Sequence, residues 1–141
     1  MSVKLLVIDD DSAVTDLLSL LLKSNGFEVA ATNNSTEGLG IIRDISPDVV
    51  ILDLMMPEMD GWETARMIRK DWPNVRIVLV TGYGPTTAPP AGEEDLVDAI
   101  IGKPFDFAQV GSTLNALASA SIEPRIHTDK NPDLISVSRI N

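Results

Sequence analysis

Four short apolar runs in this chain each end in a residue that carries a charge or a hydroxyl. Val3–Ile8 runs into Asp9-Asp10-Asp11, Val49–Leu52 into Asp53, Ile77–Val80 into Thr81, and Ala99–Gly102 into Lys103-Pro104. Short runs rich in Val and Ile, separated by stretches with helical spacing, read as strands of a parallel sheet buried on both faces. In an open α/β sheet, ligands bind outside the carboxyl ends of the strands. The carboxylates, the hydroxyl and the amine are therefore expected to meet at one edge. Acids gathered there repel one another unless a divalent cation and a nearby ammonium compensate. That requirement points to a metal-assisted phosphate site.

A length of 141 residues suits one hydrophobic core and is short for two ordinary domains. The 44% hydrophobic content fits a globular α/β protein. With no cysteine, neither a disulfide framework nor a thiolate metal site is available. The apolar stretch before Asp9 is too short for a signal-peptide core or a membrane span, so the expected compartment is the cytoplasm and no membrane partner is expected. A net charge of −10 without a basic cluster opposes contact with nucleic acid phosphates.

Strand and helix signals alternate along the chain, as in a doubly wound sheet. Ser12 is placed to cap a first helix in which Val14, Leu17, Leu18, Leu21 and Leu22 recur at helical spacing, and Asn25-Gly26 stops it. Phe27 to Ala31 reads as a second strand. Asn34 with Glu37, Asp60 with Glu63, and Asp106 with Gln109 have the capping-box spacing, and announce helices from Asn34 to Asp44, from Asp60 to about Asp71, and from Phe107 to about Ala120.

Two stretches break the rhythm. Gly82 to Asp95 contains Pro85, Pro89, Pro90 and Gly92 where a fourth helix is due. Proline removes a helical hydrogen bond and clashes with the preceding turn, so this helix should be short, displaced or mobile. Residues 121–141 carry Pro124, Pro132 and scattered charges and read as an extended or disordered tail behind a domain of residues 1–120. The alternation at Ile135 and Val137 is the one hint of an added strand there. His127, the sole histidine, falls in this tail and reads as a surface residue rather than a phosphodonor.

Taken together, Asp9-Asp10, the segment Asp53-Leu54-Met55-Met56-Pro57-Glu58-Met59-Asp60-Gly61, Thr81-Gly82 and Lys103-Pro104-Phe105 resemble the receiver domain of bacterial two-component response regulators. Order and spacing agree from about Val3 to about Ala118. The resemblance implies a flavodoxin-like sheet of five parallel strands in the order 2-1-3-4-5. It implies that Asp53 accepts a phosphoryl group from the phosphohistidine of a sensor histidine kinase or phosphotransfer protein. Mg2+ would be held by Asp10, Asp53 and the backbone carbonyl of Met55, with Asp9 acting through a water. Lys103 and Thr81 would contact the phosphoryl oxygens, and the bond before Pro104 would be cis. Asp11 reads as a helix-initiating or solvated acid rather than a ligand and Asp60 as a cap, and the Met55, Met56 and Met59 cluster lacks the His or Cys that a copper site needs.

One departure concerns switching. Many receivers carry Tyr or Phe three residues before the lysine, and here that position is Ile100. The functional expectation is a stand-alone phosphoacceptor that signals through an output protein, not an enzyme. Two other readings compete. A constitutive receiver-like adaptor with altered switching is kept open by Ile100 and the Pro-rich segment. A phosphohydrolase of the haloacid dehalogenase-like class would need a second acid two residues after the nucleophile, where this chain has Met55.

Overall fold

The computed structural model describes residues 3–82 and 87–120, the side chains of the last two excepted. The tail, His127 and Tyr83 lie outside the described residues. The elements are β1 (Lys4–Ile8), α1 (Ser12–Ser24), β2 (Glu28–Thr32), α2 (Ser35–Ile45), β3 (Val49–Asp53), α3 (Gly61–Asp71), β4 (Arg76–Thr81), β5 (Ala99–Gly102) and α4 (Phe107–Ala120). All strand pairs are parallel and the order is β2-β1-β3-β4-β5. β2 spans one residue later at each end than its apolar pattern predicts. Among the described residues no helix is long and apolar enough to cross a membrane.

Alternate residues of each strand face opposite ways, so the sheet separates two cores. Leu6, Ile8, Val50, Leu52, Ile77 and Leu79 pack with Ile42 of α2 and with Ala65 and Ile68 of α3. Leu5, Val7, Val49, Ile51, Val78, Val80, Ala99 and Ile101 pack with Leu18 and Leu22 of α1 and with Val110, Leu114 and Leu117 of α4. β3 and β4 are buried throughout, as central strands covered on both faces must be, whereas the edge strand β2 is half exposed.

The helix starts are mostly where side-chain caps predict them. Asn34 Oδ1 accepts from Glu37 N at 2.8 Å and Asp60 Oδ1 from Glu63 N at 2.9 Å. α1 corrects the expectation for Ser12. Its cap is Asp11, with extended backbone and Oδ1 accepting from Ala13 N at 2.9 Å, while Ser12 is already helical. A carboxylate can both cap the orphan N–H groups and oppose the positive end of the helix dipole, so Asp11 fills that position well.

Between β4 and β5 the described residues, 87–98, form no helix. The chain makes two tight turns instead, with Glu93 N donating to Pro90 O at 2.9 Å and Leu96 N to Glu93 O at 3.0 Å. Gly92, at φ +85, supplies the left-handed third position of the first turn, which suits glycine. The helix expected here to be short, displaced or mobile does not form among residues 87–98, and the turns in its place are tethered. Arg66 donates to both carboxylate oxygens of Glu93, at 2.7 and 2.8 Å. Leu96 and Val97 are buried against the α2–α3 core.

Asp98 anchors the end of this connection. It is 5% exposed, and its Oδ2 accepts from Ile77 N at 2.8 Å and from Arg69 Nη2 at 3.1 Å, while Arg76 Nη1 lies 3.8 Å from Oδ1. Arg69 also donates to the carbonyls of Pro73, Val75 and Leu96. Removing Arg69 would leave the buried Asp98 charge to the longer Arg76 contact and the Ile77 N–H, and weakening a buried ion pair in this way typically costs about 3 kcal/mol. Arg69→Ala should therefore lower the unfolding free energy by about 3 kcal/mol in urea titrations. A loss below about 1 kcal/mol, the range of an exposed pair, would mean that Arg69 does not hold the buried Asp98 charge.

Candidate functional site: an acidic cluster at the strand ends

Parallel pairing in register delivers the polar residues to one edge. Asp53 ends β3 opposite Val80, Thr81 ends β4 opposite Gly102, and Asp9 follows β1. Asp9, Asp10 and Asp53 each present a carboxylate oxygen within 4.8 Å of the others. Asp9 and Asp53 are buried and Asp10 is exposed. Lys103 Nζ reaches between the two buried acids, 3.1 Å from Asp9 Oδ2 and 3.5 Å from Asp53 Oδ1. Its main-chain N–H donates to Thr81 O at 2.7 Å, which ties the lysine to the end of β4, and the bond to Pro104 is cis.

Asp9 is further fixed by Asp11 N, which donates to its Oδ1 at 2.9 Å. Met55 is 54% exposed and its N–H points at Asp53 Oδ1 from 3.4 Å. Thr81 is fully buried, with its hydroxyl 3.4 Å from that of Thr87. Ile100 lies in β5 beside Leu79 and packs on the α2–α3 core. Thus the acids and Lys103 meet as the sequence suggests, while Ile100 sits back in the sheet.

Gly61 explains how α3 can start so close to Asp53. A Cβ there would lie 2.7 Å from Leu54 Cα and 2.9 Å from Asp53 O, nearer than any side chain tolerates. Gly61 N donates to Leu54 O at 2.7 Å in that space. Three further contacts support the site, and two of the residues that make them, Asn33 and Thr87, were not singled out by the sequence. Asn33 donates to Asp9 O at 2.7 Å, Asn34 pairs with Glu58, and Thr87 meets Thr81. Asn34 was legible as a cap, but nothing in spacing or residue type signals the other contacts, since each crosses between loops.

The electrostatics show what the cluster lacks. Burial raises the Asp53 carboxyl to about 6 from 3.8, the charge of Asp9 adds to the rise, and Lys103 and the Met55 N–H offset it only in part. Burial is also the largest influence on Lys103 and pulls its pKa down. The hydrogen bond to Asp9 and the charges of Asp9 and Asp53 together outweigh it, so the net shift is upward and the ammonium is retained. When all are ionised, three carboxylates against one ammonium leave two negative charges in excess. An all-oxygen donor set with that excess fits a hard divalent cation such as Mg2+.

The raised carboxyl has a stability consequence. Its folded pKa lies above the unfolded one, so its contribution is complete below about 3.8 and lost as pH rises through about 6. In magnesium-free buffer, Asp53→Asn should be more stable relative to the parent at pH 7.5 than at pH 4, because burial and Asp9 disfavour the Asp53 carboxylate. The gap should close as pH falls towards 4 in denaturant titrations. A gap that widens on acidification would contradict the assignment.

The response regulator receiver domain model matches residues 5–115. The DNA-binding response regulator MtrA of Mycolicibacterium paratuberculosis is 37% identical over 137 residues, 97% of this chain and 58% of the relative. Response regulator MprA of a Mycobacterium species is 33% identical over 133 residues, 94% of this chain and 56% of that one. The chain thus spans a little over half the length of these curated relatives. Among solved structures, response regulator TrrA of Thermotoga maritima, in complex with Mg(2+)-BeF, is 30% identical with a TM-score of 0.74, covering 83% of this chain and 99% of that one. A receiver domain protein from Clostridium thermocellum is 28% identical with a TM-score of 0.75, covering 85% and 97%. With its family model matched over residues 5–115 and its sheet order that of the doubly wound fold, the chain belongs to the receiver domain family of two-component response regulators.

Proposed function

We propose that residues 1–120 form a phosphoacceptor unit in which Asp53 takes a phosphoryl group from the phosphohistidine of a sensor kinase or phosphotransfer protein. The observation that carries this reading is the acid cluster with Lys103 reaching both buried carboxylates. In the transfer, an Asp53 oxygen forms the new bond to phosphorus as the bond from phosphorus to the imidazole nitrogen breaks. Positioning and charge neutralisation do most of the work in such transfers. Asp10, Asp53 and the Met55 carbonyl would hold Mg2+, with Asp9 acting through a water, and the bound ion would supply neutralisation of the phosphoryl oxygens. Lys103 adds a second positive charge there, and the Thr81 hydroxyl donates to the same oxygens.

The relatives named above include a DNA-binding regulator, a description that applies to those longer proteins. The −10 charge of this chain opposes contact between its own surface and duplex phosphates. We therefore assign the signal to a protein partner. Incubation with acetyl phosphate and magnesium, followed by mass spectrometry, should find one phosphoryl group on Asp53, and Asp53→Asn should take up none. A full equivalent on the Asn variant would overturn the reading.

A receiver-like adaptor without switching is favoured by one observation, the aliphatic Ile100 packed into the core where many receivers carry an aromatic ring. We propose instead that phosphorylation acts on the connection from Thr87 to Gly92, which the Thr81 hydroxyl touches and which the Arg66–Glu93 pair bounds. Hydrogen exchange with and without beryllofluoride and magnesium separates the two. Altered exchange over residues 87–92, with little change at the pinned residues 96–98, is expected for switching. Identical exchange in both states, with the mimic demonstrably bound, would favour the adaptor.

A further inference from the structure

The corner between β2 and α2 contributes no acid to the cluster, yet it touches both loops that do. The last bond of the β1–β2 ladder runs from Asp9 N to Thr32 O at 3.2 Å. Beyond it, the N–H of Asn34 turns to Thr32 Oγ1 at 3.3 Å as α2 begins. The Asp9 carbonyl accepts a side-chain donor, Asn33 Nδ2, at 2.7 Å. The same nitrogen lies 3.2 Å from Thr15 Oγ1, and Thr15 in turn donates to Ser12 O at 3.1 Å. A carbonyl can only accept, so the Asn33 amide must present its nitrogen here. Next to it, the Asn34 side chain holds the Glu58 carboxylate in the loop that follows Asp53.

We infer that Asn33 is a positioning residue for the cation site. The carbonyl it holds belongs to the peptide joining Asp9 to Asp10. Fixing that peptide fixes the direction in which the exposed Asp10 carboxylate leaves the chain, while Lys103 and Asp11 N fix the Asp9 carboxylate independently. Partners outside a ligand shell commonly tune metal affinity in this way. Asn33 is exposed and uncharged, so replacing it disturbs neither the core nor, for an alanine, the charge of the site.

The inference rests on the reading that Asp10 ligates magnesium, and calorimetric titration of Mg2+ into the full chain separates the two claims. Asn33→Ala should bind about tenfold more weakly, with its melting temperature little changed. Asn33→Asp keeps the shape without the donor and should also bind more weakly than the parent. Asp10→Ala gives the loss expected on removing the ligand itself. Parental affinity in Asn33→Ala, with or without a lower melting temperature, would overturn the positioning role. Tighter binding by Asn33→Asp would overturn it as well, because added charge rather than geometry would then govern. A parent chain that binds no magnesium would remove the metal assignment and this inference together.

Discussion

Two buried carboxylates share one ammonium. Asp9 and Asp53 both lie against Lys103 Nζ, and a third acid stands beside them at the surface. Everything else in the molecule bears on keeping that arrangement. Like charges at such short range are unfavourable, and burial weakens the solvent that would screen them. The fold tolerates the strain because the acids stand at the ends of strands whose sides are locked into two cores. A strand end can hold a charge at the sheet edge while its preceding residues are dry, which a helix face or a long loop cannot do so well.

The same logic accounts for the opposite end of β4 and β5. There, too, an acid is buried, but Asp98 has two arginines and a backbone N–H against it. One buried acid is neutralised within the chain, and the other cluster is left with an excess of negative charge. The contrast between the two acids lies in their partners, since depth of burial is similar for Asp98 and Asp53 at 5% each. On the proposed reading, that unmatched charge is what a cation and a phosphoryl group would meet.

Much of this was legible in the sequence because it is local. Short Val- and Ile-rich runs with polar ends specify both the parallel sheet and the edge on which the chemistry sits. Caps at Asn34 and Asp60 are readable because a cap and its target are three residues apart. Ser12 against Asp11 was not, since two adjacent residues with suitable side chains compete and the backbone decides between them. The prolines announced that the helix due between β4 and β5 would be short, displaced or mobile. They could not announce that Arg66, Arg69 and Arg76 would hold its replacement, because those pairs join residues more than twenty apart whose approach only the closed sheet creates. Asn33 escaped notice for the same reason.

The two cores are lined by odd and even positions of the same strands, with Leu5 and Val7 on one side and Leu6 and Ile8 on the other. The acid pair therefore has an address counted in residues from the core. One residue inserted or deleted within β1 would exchange the faces of its side chains and also move Asp9 off the end of the strand. Packing and chemistry would fail at a single stroke, so the strand can vary in which apolar residues it carries but hardly at all in how many.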